Sequence, residues 1–396
     1  MAEWIECKIS DIGTVVGGAT PSTKKPENYE NGTIAWITPK DLSTFTGRYI
    51  QRGERNITEV GLKSCSTQLL PKDTVLFSSR APIGYVAIAA NEVCTNQGFK
   101  SVVPNENTDP LFLYYLLKHN KDKIEGMGSG TTFKEVSGNT MKNIVVSVPT
   151  DKKVQKRISS MLGSIDDKIE ENERINNNLL EQVLTLYRNK FVDTANNERA
   201  ICRADEYFDI SIGKTPPRKE PQWFSTNPKD VTWVSISDMG TCGLYISESS
   251  EQLTREAVVR HNVKIVPDNT VLLSFKLTVG RIAITDGEMT TNEAIAHFKT
   301  DKKEINEYLY CYLKCFNYQT MGSTSSIATA VNSKIIKGMP FVVPTDEEIT
   351  EFHSLVAPMF AKIKVNQTEI SNLTALRDTL LPKLMSGELD VSDIEI

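Results

Sequence analysis

The chain has 396 residues, 39% hydrophobic and 24% charged, with 22 Gly and 17 Pro. This excludes collagen-like, low-complexity and wholly disordered classes and leaves room for roughly two to four structural units. Seven scattered cysteines without a C-x-x-C pair read as free thiols, and His119, His261, His297 and His353 form no ligand pair, so no metal site is expected. No run approaches the roughly 18 uncharged apolar residues of a membrane span, and Met1 to Ser10 lacks a signal peptide's apolar core. A cytoplasmic protein with no membrane partner is expected. The net charge of −5 is local: residues 346 to 396 hold 4 basic and 10 acidic side chains, whereas residues 1 to 150 hold 16 and 15. Overall charge therefore neither requires nor forbids DNA.

Self-similarity decides the organisation. Gly18, Thr20 and Pro21 recur 195 positions later as Gly213, Thr215 and Pro216, and Trp36 and Asp41 recur 197 later as Trp233 and Asp238. Pro71, Val75 and Ser78 match Pro267, Val271 and Ser274, and Thr95 and Asn96 match Thr291 and Asn292, all at 196. Val148 to Asp151 (VPTD) match Val343 to Asp346. Colinear anchors of this kind mark a tandem duplication.

In chain order, Ile34 to Thr38, Val75 to Ser78, Ile83 to Ala89 and Phe99 to Val103 are β-branched or aromatic runs between turn signals, so they predict strands. Asp109 and Pro110 predict the N-cap and first turn of a helix carrying Leu113, Leu116, Leu117 and Ile124 on one side. From Val154 to Lys190 there is no proline and one glycine, Gly163, and Ile158, Leu162, Ile165, Ile169, Asn172, Leu179 and Val183 follow a heptad-like spacing. After the second copy, Phe352, Val356, Ile363, Asn366, Ile370, Leu373 and Leu380 repeat it. These residues predict two long helices sharing a seam, with Asn172 and Asn366 setting register and Pro358 kinking or restarting the second helix. Cys311 and Cys315 share one face of the counterpart of the 109 helix, where packing explains them.

The fold class is therefore α+β: two similar α/β domains separated by two long antiparallel helices packed as a coiled coil. The divisions are 1–150, 151–192, 193–345 and 346–396. A helix of 37 residues spans about 55 Å, and the 12-residue linker from Val192 to Arg203 reaches at most about 43 Å, so a dumbbell with one globule at each end is expected.

Catalytic signatures are missing. Gly213, Lys214 and Thr215 imitate the tail of a phosphate-binding loop, but Phe208 stands where its first glycine belongs. Gly126, Gly128 and Gly130 lack the flanking strand and helix of a nucleotide site. Two repeated globules, each followed by a long heptad helix, resemble the specificity subunit of type I restriction-modification systems. The segments that carry this are Gly18, Thr20 and Pro21 with their copies, Leu76 to Gly84 (LFSSRAPIG), Val148 to Ile158 (VPTDKKVQKRI) and Leu380 to Leu389 (LLPKLMSGEL). The family often has Glu-Gln after the proline region, where this chain has Val154 and Gln155, then Ile349 and Thr350.

The resemblance implies a non-catalytic chain whose two target recognition domains each read one half of a bipartite, asymmetric site on double-stranded DNA. It implies that the helices dock two methyltransferase (modification) subunits, and it leaves room for two restriction or translocase subunits. S-adenosylmethionine, Mg and ATP are then expected in those partners and no cofactor in this chain. Loop positions make Lys24, Lys25, Lys40, Arg80, Phe133, Arg218, Lys219, Ser237, Lys276 and Arg281 candidate DNA-binding residues. Thr20, Ser78, Thr215 and Ser274 join them, with a framework role equally open, and Trp36 and Trp233 are read as core. The alternative is a structural adaptor that pairs protein partners without reading DNA.

Overall fold

Val75 and Val271, equivalent in the repeat, sit at the centre of two five-stranded sheets. The computed structural model describes residues 3–130, 134–193, 199–321 and 332–391. It divides into one unit of Met1–Glu171 with Ile370–Ile396 and another of Asn172–Glu369. Both long helices are therefore shared between the units.

In the first unit the sheet runs Gly13–Gly17, Lys100–Pro104, Val75–Ser79, Ile83–Ala89, Tyr49–Ile50. In the second it runs Asp209–Ile212, Ile295–Lys299, Val271–Ser274, Ile282–Thr285, Tyr245–Ile246. Val75 faces Ile88 and Val102 across the ladder, and Val271 faces Ile284 and Phe298, the same register shifted by 196. In both, the last strand is parallel: Tyr49 lies beside Ile88 and Tyr245 beside Ile284. The central strands are buried along their whole length, which accounts for their continuous rather than alternating apolar runs. A smaller sheet carries each framework tryptophan, on Ile34–Ile37 and on Val231–Val234.

Asp109 caps the Pro110–His119 helix as expected, its carboxylate accepting from the Phe112 amide at 2.9 Å. That helix ends before Ile124, which lies in a separate helix, Lys121–Gly126, and packs into the same core from there. Cys311 and Cys315 both join the core of the second unit.

The first long helix is Lys152–Tyr187, continued by π-helical turns over Arg188–Asp193; the second is Asp346–Met385. Helical backbone is unbroken across Pro358, so that proline does not restart the helix. Val356, Phe360 and Ile363 around it are buried in one cluster, and their burial offsets a proline penalty of about 3 kcal/mol. In the second unit the helices run antiparallel: Asn172 donates to Glu369 at 2.9 Å, and Asn366 to Asn176 at 2.8 Å. In the first, Arg377 donates to Asp166 at 2.9 Å.

The seam is uneven. Ile158, Leu162, Ile169, Val183, Phe352, Val356 and Ile363 are buried, whereas Ile165, Leu179, Ile370, Leu373 and Leu380 are half-buried. Asn172 and Asn366 are fully buried but bond to neighbours rather than to each other, and their Oδ1 atoms have no partner among the described residues.

Each unit also ties its last sheet strand to a long helix, by different chemistry. Arg48 donates to Glu170 at 2.9 Å and to the Gly163 carbonyl at 3.3 Å, and it pairs with Asp167. At Gly163, the helix's single glycine, a Cβ would lie 3.1 Å from Leu111 and 3.4 Å from the Arg48 guanidinium. Tyr115 adds a hydroxyl bond to Asp166 at 2.5 Å. In the second unit Gln367 holds both backbone groups of Tyr245, accepting from its amide at 3.0 Å and donating to its carbonyl at 3.1 Å. Arg48→Met is expected to lower the stability of the first unit by about 2 kcal/mol, read by urea denaturation.

The second unit buries a histidine completely. His297 Nδ1 meets the Ser211 hydroxyl at 2.9 Å and Nε2 meets the Thr291 hydroxyl at 2.7 Å. Burial, reinforced by Lys299, lowers its pKa to about 3. The unfolded chain protonates its imidazole near pH 6.5, so the unfolded state binds the extra proton first. Stability should therefore fall as pH drops from about 6.5, by up to about 1.4 kcal/mol per pH unit. Denaturant titrations between about pH 7.5 and 5 should show this slope, and His297→Gln should flatten it.

Candidate nucleic-acid interface

One loop is built identically in the two units. After the first sheet strand the chain crosses directly over the turn at Thr95 and Asn96, or at Thr291 and Asn292. A Cβ on Gly18 would lie 2.1 Å from the Thr95 carbonyl oxygen, and one on Gly213 would lie 2.1 Å from that of Asn292. Both positions are glycine because no side chain fits there. Ala19 donates its amide to Thr95 at 3.0 Å, and Lys214 to Thr291 at 2.9 Å. The tryptophans lock the crossing: Trp36 Nε1 donates to the Ala19 carbonyl at 3.1 Å and Trp233 Nε1 to that of Lys214 at 3.2 Å. Both indoles are nearly buried, in agreement with their core reading.

The turn below has a matching geometry. Asn96 Oδ1 accepts from the Gly98 amide at 2.8 Å, and Asn292 Oδ1 from the Ala294 amide at 3.1 Å. Gln97 and Glu293 are the exposed residues these turns present. Thr20 donates its hydroxyl to Gln97 Oε1, and Thr215 donates to Glu293 Oε2. Burial pushes the Glu293 carboxyl up, but the Thr215 hydroxyl, its own amide, Lys276 and Arg218 outweigh this and hold it below the usual carboxylate range.

A second duplicated device uses the predicted serines. Ser78 donates to the Pro82 carbonyl at 2.8 Å and accepts from the Tyr85 amide at 2.8 Å. Ser274 does the same with Thr278 at 2.6 Å and Arg281 at 3.0 Å. Both serines are fully buried with their hydroxyls bonded within the loop, the framework placement that the sequence had left open. The loops they shape carry Arg80 and Lys276.

A third device ties in the Lys40 region. Asp41 accepts from the amides of Thr38 and Glu54, each at 2.7 Å, and Asp238 from those of Ser235 at 2.8 Å and Ser250 at 3.0 Å. Burial pushes the Asp238 carboxyl up, and the bonds from Ser235 and Ser250 more than reverse it. Beside Asp41 a cleft of about 630 Å³ is lined by Lys40, Phe45, Tyr49 and Arg52.

The basic candidates divide. Lys24, Lys25, Lys219, Lys276 and, with them, Ser237 are exposed. Lys40 is exposed but pairs with Glu54 at 2.8 Å, and Arg80 reaches Glu135 at 3.6 Å. Arg218 makes a two-pronged pair with Glu251 at 3.0 and 2.9 Å, and its guanidinium lies 4.2 Å from the Phe224 ring centre and 4.7 Å from that of Trp233. Arg281 is half-buried and donates to the Ile236 carbonyl at 2.6 Å, against Gly240. Phe133 lies outside the described residues.

The reading from sequence missed Arg55, which lies 4.3 Å over the Tyr29 ring. Arg55 pairs across the strand with Trp36, and Glu251 pairs with Trp233, so one register position carries opposite charges in the two units. It also missed Gln97 and Glu293, although each directly follows the repeated Thr-Asn pair. That break in an otherwise matched run was the available signal.

The profile of the type I restriction modification DNA specificity domain matches residues 1–181 and 200–375. This chain belongs to that family. It is 35% identical, over 99% of its own length and 95% of the relative's, to the type I restriction enzyme MjaIX specificity subunit of Methanocaldococcus jannaschii. The type I restriction enzyme HindI specificity subunit of Haemophilus influenzae is 21% identical over 98% of this chain and 100% of its own. Among solved structures, the type I restriction-modification S subunit of M. genitalium matches with a TM-score of 0.59 and 17% identity, covering 99% of this chain and 97% of that one, which supports the fold. Membership makes this chain a specificity subunit, the non-catalytic component of its system. No helix among the described residues is long and apolar enough to cross a membrane.

Proposed function

We propose that this chain reads double-stranded DNA as two dissimilar half-sites, one per repeated unit, and that its long helices dock two methyltransferase (modification) subunits. The observation that carries this is the pairing of identical frameworks with divergent surfaces. The Gly18 and Gly213 crossings, the tryptophan bonds and the serine-bonded loops are the same in both units. The residues they present differ: Gln97 against Glu293, Arg55 against Glu251, Arg80 against Lys276. A frame that holds loop geometry while exposed residues vary suits two sequence readers of different specificity. Restriction or translocase subunits, with ATP and Mg, and the S-adenosylmethionine of methyl transfer belong to the partners on this reading.

Selection of random duplex DNA by the chain assembled with its modification subunits should return two short unlike motifs at one constant gap, with affinity falling steeply as salt rises. Recovery of no sequence preference would favour the adaptor reading instead.

The helices act as the ruler between the half-sites on this proposal. Inserting one heptad at matching positions of both helices adds about 10 Å of axial rise, roughly three base pairs. The same selection should then return the original half-sites at a changed gap, and an unchanged gap would refute the ruler.

A further inference from the structure

At one place in the repeat, the two units present side chains of opposite hydrogen-bonding character on the same support. Gln97 and Glu293 are exposed, each at the tip of an Asn-anchored turn, under a loop that glycine alone can bring so close. A threonine hydroxyl donates to one oxygen of each. That contact leaves Gln97 with its Nε2 donors and one remaining lone pair on Oε1, and leaves Glu293 with acceptor lone pairs and no donor. An exposed, long polar side chain normally samples many rotamers; here a repeated bond restrains it in both units. Basic groups lie close by, with Lys276 and Arg218 acting on Glu293, so an anionic backbone can approach despite the carboxylate.

We propose that Gln97 and Glu293 are equivalent base-reading residues: Gln97 takes the N6/N7 edge of an adenine in one half-site, and Glu293 accepts from the exocyclic amine of a cytosine in the other. These are the major-groove edges that an amide and a carboxylate match. Thr20 and Thr215 are their positioning residues. The inference rests on the half-site reading above and assigns one base in each half.

The test uses the full chain assembled with its modification subunits, profiled on a randomised duplex library. Gln97→Glu should change preference at a single position of one half-site from adenine towards cytosine, by about tenfold or more. Glu293→Gln should do the reverse at a single position of the other half-site. Both variants are exposed isosteres, and unchanged melting temperatures confirm their folding. Thr20→Val should weaken discrimination at the position read by Gln97 and nowhere else, with Thr20→Ser restoring it. A uniform loss of affinity for every sequence, with a shallower salt dependence, would make these phosphate contacts and overturn the assignment. So would an unaltered profile. A wild-type complex with no half-site preference would instead remove the reading on which the assignment rests.

Discussion

The absence of room for a Cβ at Gly18 and Gly213 is the constraint on which the recognition surface depends. At both positions the backbone lies against carbonyl oxygens of the turn beneath, closer than any side chain tolerates. That contact brings Ala19 and Lys214 within reach of the tryptophan indoles, and it brings Thr20 and Thr215 over the next exposed residues. Without it, three hydrogen-bonded elements of each unit would lose their common anchor. The indoles show why the tryptophans are core residues with a polar duty: the ring is buried and the single donor is spent on a loop carbonyl.

The attachment of sheet to helix obeys no such identity. Tyr49 and Tyr245 occupy the same register position, yet the first unit reaches its helix through the Arg48 guanidinium on Asp167 and Glu170, the second through a neutral amide. The Arg48 guanidinium is nearly buried while Asp167 is largely exposed, so the cluster keeps one side in water. A fully buried ion pair must overcome a larger desolvation cost, which the Gln367 bond pair avoids altogether. Two solutions to one geometric requirement are what a duplicated scaffold permits once its copies evolve apart.

Most of the architecture was legible because burial leaves a periodic trace. The central strands at Val75 and Val271 are buried on both faces and read as apolar runs, and the helix seam reads as heptads. Pro358 does not restart the helix for a physical reason: proline's local penalty is visible in sequence, whereas the burial of Val356, Phe360 and Ile363 that outweighs it is tertiary. For Ser78 and Ser274 the sequence left framework and surface roles equally open. Loop serines among basic residues look like surface donors, and only the closure of each loop onto its own serine shows the hydroxyls to be consumed. The Arg281 bond was equally invisible, since its carbonyl partner at Ile236 lies far away in sequence. The charge reversal between Arg55 and Glu251 was out of reach because it needs strand register, which sequence spacing alone does not supply.

If each repeated unit reads one half-site, as proposed, duplication gives the halves independence. On the half-site reading proposed above, sites without shared partners contribute nearly additively, so a change at one tip would alter the energy of one half-site and leave the other as it was. The frame makes such changes inexpensive. Gln97 and Glu293 are exposed at turns whose bonds come from Asn96, Asn292 and the backbone, so their replacement removes no packing. A change at Gly18, Trp36 or Ser78 would instead disturb several bonds together. On the proposed reading specificity can therefore drift at a few exposed atoms while the geometry that aims them stays constant, and this asymmetry of cost fits two five-stranded sheets that keep one strand order and register while exposed charges at equivalent positions differ.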